Sequence, residues 1–511
     1  MMSTDPKSMS AAGPPLNSVG GRKFGREQLG DRHQQRITRR RRTKRRWRVV
    51  LTALAAIMLV VSYACMDLAD LAPGPLTLAK TSHSSIPAAV MMGESSTAAV
   101  DRPGPAVDVG QVQQLVNAFA DTPGLGNAYS LVVRQADGRV LAQKNADQAR
   151  QPASTMKTLT AAAAASVLDM SSQLDTEVLL NSSSSSSATL TLRGNGDMLL
   201  GAGKDDPLHV NGRAGLGTLA ERTAQALRKQ GIDRVALAYQ DTLFGDDRMP
   251  KGIEDNNPDG IYFQESVSMA VDEARQGRTE PDADPDAGGV YLPRVENPAG
   301  AAAAVFANSL TQSGIHVDNA QAPDRIDHAQ GRVLARVRSA RLSEVMSLML
   351  RNSDNSLAEL FGRLTALALD MPNSPAGAVK AVTSTLSKLG VDTAGLNMAD
   401  CSGLTPGSTL KVGTLADIQQ LALSKKGLTP LVKGLSVVGL TGTAARRKID
   451  NQADGLIRAK TGTLDHVTSL AGNVIRRSGG VLVFAVVVND PEDAAAARHA
   501  VDTLVGSLDR L

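Results

Sequence analysis

Two cysteines are few for a chain of 511 residues. Cys65 lies in an apolar stretch and Cys401 stands alone far downstream. A body with one thiol has no intrachain disulfide framework and no Cys-based metal site. The histidines form no cluster at ligand spacing with either cysteine, so no metal or other cofactor is expected. Acidic residues are scarce at one end only. Residues 1–48 carry 14 Lys/Arg against Asp5, Glu27 and Asp31, a net of +11. The rest carries 41 basic and 48 acidic residues, a net of −7, so the overall +4 describes neither part.

The arginine-rich run RITRRRRTKRRWR would by itself suit a nucleic-acid arm. It is followed at once by VVLTALAAIMLVVSYACM (49–66), 18 residues without a charge and close to the length that crosses a bilayer. Arginines ahead of such a segment keep their side in the cytoplasm. The expectation is therefore a basic cytoplasmic tail (1–48), a transmembrane segment (49–66) and an extracytoplasmic linker rich in Ala, Ser, Pro and Gly (67–107). On this reading the protein is a single-pass cell-membrane protein with no nucleic-acid partner. Cleavage near Ser62-Tyr63-Ala64 would release the body instead.

Globular patterning begins near Val109. YSLVVRQADGRVLAQKN (129–145) reads as two strands joined at Asp137-Gly138. ASTMKTLTAAAAASVLD reads as a helix with Ser154 and Thr155 at its start. Residues 173–329 turn to short strands with Gly/Asp/Pro-rich turns and a serine run (182–187) that suits a loop tip. Helical patterns return after Ala335, and the chain ends in alternating strands and a closing helix. One α/β domain, 108–172 and 330–511, interrupted by a β-rich insertion, 173–329, accounts for this order.

Three short signatures carry chemistry: Ser154-Thr155-Met156-Lys157, Ser353-Asp354-Asn355 and Lys460-Thr461-Gly462-Thr463. They match the S-x-x-K, S-D-N and K-T-G set of penicillin-binding proteins and class A β-lactamases. Ser154 and Lys157, three apart on a helix, share a face, and an amine kept neutral there is a base for the hydroxyl. Ser353 suits proton relay to a leaving amine, and Asn355 suits holding Lys157 and a substrate amide. Lys460 supplies positive charge, Thr461 and Thr463 offer hydroxyls to a carboxylate, and the N–H groups of Ser154 and Thr463 suit an oxyanion hole. Singly, each signature is ordinary: a helix-start serine is usually a cap, and Ser-Asp-Asn is turn material. Their order makes the set specific. A second S-x-x-K, Ser408 to Lys411, falls after S-D-N and breaks that order. Leu440-Thr441-Gly442-Thr443 repeats Thr-Gly-Thr without the lysine and reads as no functional copy.

With these motifs the chain resembles the class C low-molecular-mass penicillin-binding proteins, a D-alanyl-D-alanine carboxypeptidase/endopeptidase family with a large insertion after the S-x-x-K helix. LRGNGDMLLGAG (192–203), SVSMAVDEARQGR (266–278), ENPAGAAAAVFANSLTQSGIHV (296–317), DCSGLTPGSTL (400–410) and LSVVGLTGTAARR (435–447) are similar to family segments, with Met198 at a usual proline and Cys401 at a usual glycine. The resemblance implies a penicillin-binding-protein/β-lactamase-like transpeptidase fold, a five-stranded antiparallel sheet with flanking helices plus a helical subdomain. It implies a peptidoglycan stem peptide ending in D-Ala-D-Ala as substrate, an acyl-enzyme on Ser154, acylation of that serine by β-lactam antibiotics, and a part for Asp197 in binding the stem peptide. A β-lactamase is the nearest alternative, and Glu359 is the only glutamate between Asn355 and Lys460 to serve deacylation. A non-catalytic cell-wall binding module is the other.

Overall fold

The computed structural model describes residues 47, 51–64, 66 and 104–511, except 185, 278–282, 448, 450–452 and 454. The chain divides into two units, Met1–Ile86 and Pro87–Leu511. In the first, residues 51–64 are helical. Among the described residues no helix is long and apolar enough to cross a membrane. This corrects the expected single-pass anchor, and the cell-membrane placement that rested on it falls with it. The basic tail, apart from Trp47, and linker residues 67–103 lie outside the described residues. Residues 104–107, assigned to the linker, belong with the body: Val107 is buried, and Arg476 donates to the Pro105 carbonyl at 2.7 Å.

Among its described residues the second unit has fourteen strands: β1 Tyr129–Gln135, β2 Val140–Lys144, β3 Gln173–Ser183, β4 Ser187–Gly194, β5 Asp197–Leu200, β6 Arg234–Gln240, β7 Met269–Val271, β8 His316–Val317, β9 Asp324–Ile326, β10 Arg332–Arg341, β11 Ser436–Val437, β12 Ile457–Leu464, β13 Val467–Ile475 and β14 Val481–Asn489. The main sheet runs β11-β12-β13-β14-β1-β2, antiparallel throughout. It has six strands rather than five because the two-residue β11 pairs with β12 at Ser436↔Ala459. Its two ends of sequence meet where Tyr129 pairs with Val488.

Both faces of this sheet are covered, which explains why VLVFAVVV is apolar without a break. Leu482, Phe484, Val486 and Val488 enter one core with helices α1 (Val109–Ala120) and α10 (Ala494–Ser507). Val481, Val483, Ala485 and Val487 face the other way, into the core built on helices α2 (Lys157–Val167) and α8 (Val412–Ser424). Helices α5 (Leu342–Asn352), α6 (Asn355–Ala368), α7 (Pro375–Lys388) and α9 (Thr429–Gly434) complete that second core. At its centre, Ala161 to Ala164 of α2 are fully buried. An all-alanine face lets neighbouring helices approach closely at no side-chain entropy cost.

A second sheet, β10-β3-β4-β6-β8 with β9 also on β6, carries helices α3 (Leu216–Arg228) and α4 (Pro298–Gln312). Its last strand, β10, lies beyond residue 329 and leads directly into α5. The short pair β5–β7 is parallel.

Candidate active site

Ser154 sits in the tight turn Ala153–Met156 that opens α2. Ala153 ahead of it is fully buried at φ 49, a left-handed conformation that non-glycine residues hold only when their surroundings impose it. The surroundings here are β12 and the 400–405 loop. A Cβ on Gly462 would lie 2.7 Å from the Pro152 carbonyl and 3.2 Å from Ala153 Cβ, so only glycine lets the strand close on the turn. Gly403, at φ +80, likewise packs its α-carbon against the Ala153 peptide. Gly462→Ala is therefore expected to push β12 off the serine and lower the acylation rate at least about tenfold, with a lower Tm. Stopped-flow acylation and thermal melts check it.

Lys157 is fully buried one turn on. Its Nζ lies 2.9 Å from Ser154 Oγ, 2.7 Å from Asn355 Oδ1 and 2.9 Å from the Ser402 carbonyl. Burial lowers its pKa to about 8, with Asp400 and Asp354 pulling the other way. Ser353 ends α5 at φ 59 and Asn355 begins α6, so one sharp corner presents both side chains. Asn355 Nδ2 is anchored on the Tyr262 carbonyl at 2.9 Å. From β12, Lys460 Nζ donates to Ser353 Oγ at 2.8 Å and to the Thr461 carbonyl at 2.7 Å. Burial, and then the neighbouring Lys157, push its amine well below the ordinary lysine value. Two buried amines share one site, and each opposes charge on the other. Thr461 is nearly buried and Thr463 is exposed at the strand end.

All three signatures thus converge, from a helix start, an inter-helix corner and a strand. A family profile, D-Ala-D-Ala carboxypeptidase 3 (S13), matches residues 111–293 and 285–511. The chain belongs to the S13 D-Ala-D-Ala carboxypeptidase family. It is a serine-type D-Ala-D-Ala carboxypeptidase, a hydrolase. It is 34% identical over 398 residues to a carboxypeptidase of Mycobacterium tuberculosis, a match covering 76% of this chain and 81% of that one. It is 26% identical over 468 residues to the D-alanyl-D-alanine carboxypeptidase of Actinomadura sp. (strain R39), over 76% of this chain and 84% of that protein. The crystal structure of penicillin binding protein 4 from Haemophilus influenzae has the same fold, with a TM-score of 0.61 at 21% identity, over 80% of this chain and all of that one.

The S13 carboxypeptidase does not gather every residue singled out from its sequence. Asp197 is only 3% exposed, at the start of β5, where its Oδ1 accepts the Leu199 N–H at 3.0 Å. Burial pushes its pKa up to about 7, and no site residue is among its partners. Its carboxyl is buried at the start of β5. Met198 beside it is buried as well.

Three contributors escaped sequence reasoning. Asp400 accepts the N–H groups of Ser402, Gly403 and Thr405 and the hydroxyls of Ser402 and Thr405, which folds the loop that aims the Ser402 carbonyl at Lys157. Its signal was present in DCSGLT, an Asp ahead of small turn residues. Thr443 pairs its hydroxyl with that of Thr461 at 2.7 Å, so the second Thr-Gly-Thr reaches the site through the first. The third is the Tyr262 carbonyl, which no side-chain pattern could reveal. Glu359 is fully buried behind this loop, accepting the Cys401 N–H at 3.3 Å.

Proposed function

We propose that Ser154 is the nucleophile that opens peptidoglycan stem peptides ending in D-Ala-D-Ala, by carboxypeptidase and endopeptidase cleavage, and that β-lactams acylate the same oxygen. The Ser154 hydroxyl gives its proton to the neutral Lys157 amine as Oγ bonds to the penultimate D-alanine carbonyl carbon. The N–H groups of Ser154 and Thr463 receive the developing oxyanion. Collapse breaks the C–N bond, and the proton passes through Ser353 to the departing amine of D-alanine. Water then enters and releases the shortened peptide. A substrate carboxylate beside Lys460 favours the charged amine there, so that binding itself restores the cation that burial suppresses. Thr461, steadied by Thr443, and Thr463 hold the same carboxylate. Residues 173–329, together with β10, are read as an inserted unit on this domain.

The observation that carries the reading is the Lys157 amine, drawn toward neutrality by burial and 2.9 Å from Ser154 Oγ. A β-lactamase reading is less well supported, because Glu359 lies under Cys401 rather than beside the serine. The test is intact-protein mass spectrometry with benzylpenicillin, together with D-alanine release from a pentapeptide. A lasting one-drug adduct with D-alanine release is the expected result. Rapid drug turnover without an adduct indicates a β-lactamase, and an inert folded protein indicates a binding module.

A further inference from the structure

The segment Asp272-Glu273-Ala274 follows β7 in the region read as the insertion, yet it touches the active-site corner. All three residues are left-handed, with φ of 46, 50 and 61. No glycine or asparagine is present to relieve this, and each such residue costs free energy against a right-handed one. Three in succession require a strong hold.

Two guanidinium groups provide it. Arg275 Nη1 binds Asp272 at 3.0 Å, and its Nη2 reaches both Glu273 Oε2 at 3.1 Å and Asp354 Oδ2 at 3.2 Å. Arg294 donates to the Glu273 carbonyl at 2.8 Å, lies 3.5 Å from Glu273 Oε2, and reaches the Ile261 carbonyl at 3.4 Å. Glu273 is 1% exposed, while Asp354, Arg275 and Arg294 are 10–12% exposed. Asp354 is the middle residue of Ser353-Asp354-Asn355. Its other oxygen accepts the Leu357 N–H at 3.0 Å and caps α6. Both neighbours of Asp354 hold a catalytic lysine: Ser353 Oγ meets Lys460, and Asn355 Oδ1 meets Lys157.

The cluster contains three carboxyl groups, Asp272, Glu273 and Asp354, and two guanidinium groups. It is neutral when one carboxyl keeps its proton. Glu273 Oε2 and Asp354 Oδ2 lie against the same Arg275 nitrogen, at 3.1 and 3.2 Å, so these two carboxyl groups are the neighbours that one proton would join. We propose that Glu273 is a positioning residue for the active-site corner, holding Asp354 through a shared proton beneath Arg275 and Arg294, so that ionisation of Glu273 releases the corner. Burial, and then the Asp354 charge, push Glu273 up to about 8 against the pull of the two arginines. Burial would raise Asp354 too, but Arg275 and the α6 N–H hold it below its usual value, so the proton resides on Glu273. Above that pH two buried carboxylates face each other, the cluster carries a net negative charge, and Asp354 is driven from its seat.

This inference rests on the acyl-enzyme reading and goes beyond it by tying the segment after β7 to the pH range of catalysis. The full chain is acylated with benzylpenicillin across roughly pH 6 to 10, as wild type, Glu273→Gln and Glu273→Ala. Glutamine keeps the shape and the hydrogen-bond donor but cannot ionise. Glu273→Gln is expected to match the wild-type rate near neutrality and to move the alkaline fall up by about one pH unit or more. Glu273→Ala is expected to lose about tenfold or more at every pH, since nothing then seats Asp354. A Glu273→Gln profile that coincides with wild type, or that is lowered evenly without changing shape, overturns the proposal. A wild type that neither takes the drug nor releases D-alanine sinks the acyl-enzyme reading, and this inference with it.

Discussion

Ser154→Ala is expected to abolish benzylpenicillin labelling and to reduce D-alanine release on the order of 10⁴-fold or more, as removal of a catalytic nucleophile does. Ser408→Ala is expected to label at the wild-type rate. Both serines stand three residues before a lysine, so the pair separates geometry from sequence pattern. Ser154 is part-exposed and bonded to its lysine. Ser408 is 1% exposed, and its hydroxyl accepts the Ala399 N–H at 3.1 Å. Its lysine, Lys411, precedes α8 and is half-buried. Losing the Ser408 hydroxyl removes one hydrogen bond, worth about 1 kcal/mol of stability. Labelling with radioactive or fluorescent penicillin, followed by peptide mapping, decides the matter. Loss of label in the Ser408 variant alone would overturn the choice of nucleophile.

The second large effect lies in Lys157. Lys157→Met fills the same buried space without a base, and acylation is expected to slow about a thousandfold, within the range for general-base catalysis. The pH dependence follows from the direction of its shift. The protonated ammonium cannot accept the serine proton, so the wild-type rate rises as pH approaches about 8, ahead of the alkaline fall assigned to Glu273. At pH 7 about one molecule in ten carries the neutral amine, against fewer than about one in a thousand for an unshifted lysine. Burial is the main cause, so a substitution that admits water, such as Asp400→Ala unfolding the Ser402 loop, moves the rising limb toward higher pH. Loss of the Asp400 charge alone, as in Asp400→Asn, moves it toward lower pH. Rapid-quench acylation across pH distinguishes the two directions. A rate independent of pH between about 6 and 9 would rule out Lys157 as the base.

Much of the site was legible because its information is local. Ser154 and Lys157 share a helical face through a spacing of three. Ser353 and Asn355 flank a helix junction, and Lys460 to Thr463 lie along one strand. The apolar run of β14, and the turn between it and β13, are likewise properties of adjacent residues. Their order along the chain made the set specific. No window of sequence showed that the Ser402 carbonyl meets a lysine 245 residues away, or that Asn355 meets it across 198. Thr443 was set aside for lack of a neighbouring lysine, yet its hydroxyl meets that of Thr461, 18 residues on. The burial of Asp197 is equally a matter of distant chain: β7 pairs with β5 from some seventy residues downstream. The apolar run at 49–66 suggested a membrane span, but among the described residues no helix is long and apolar enough to cross a membrane.

By itself, then, the sequence determined which side chains make up the candidate site and on which kind of element each stands, since spacing along a helix or strand is a local property. Only the tertiary structure decided their ionisation and their aim. A lysine's pKa falls through burial by distant chain, and a carbonyl or carboxylate becomes a partner only when a far loop brings it within about 3 Å. Neither effect has a signature in neighbouring residues.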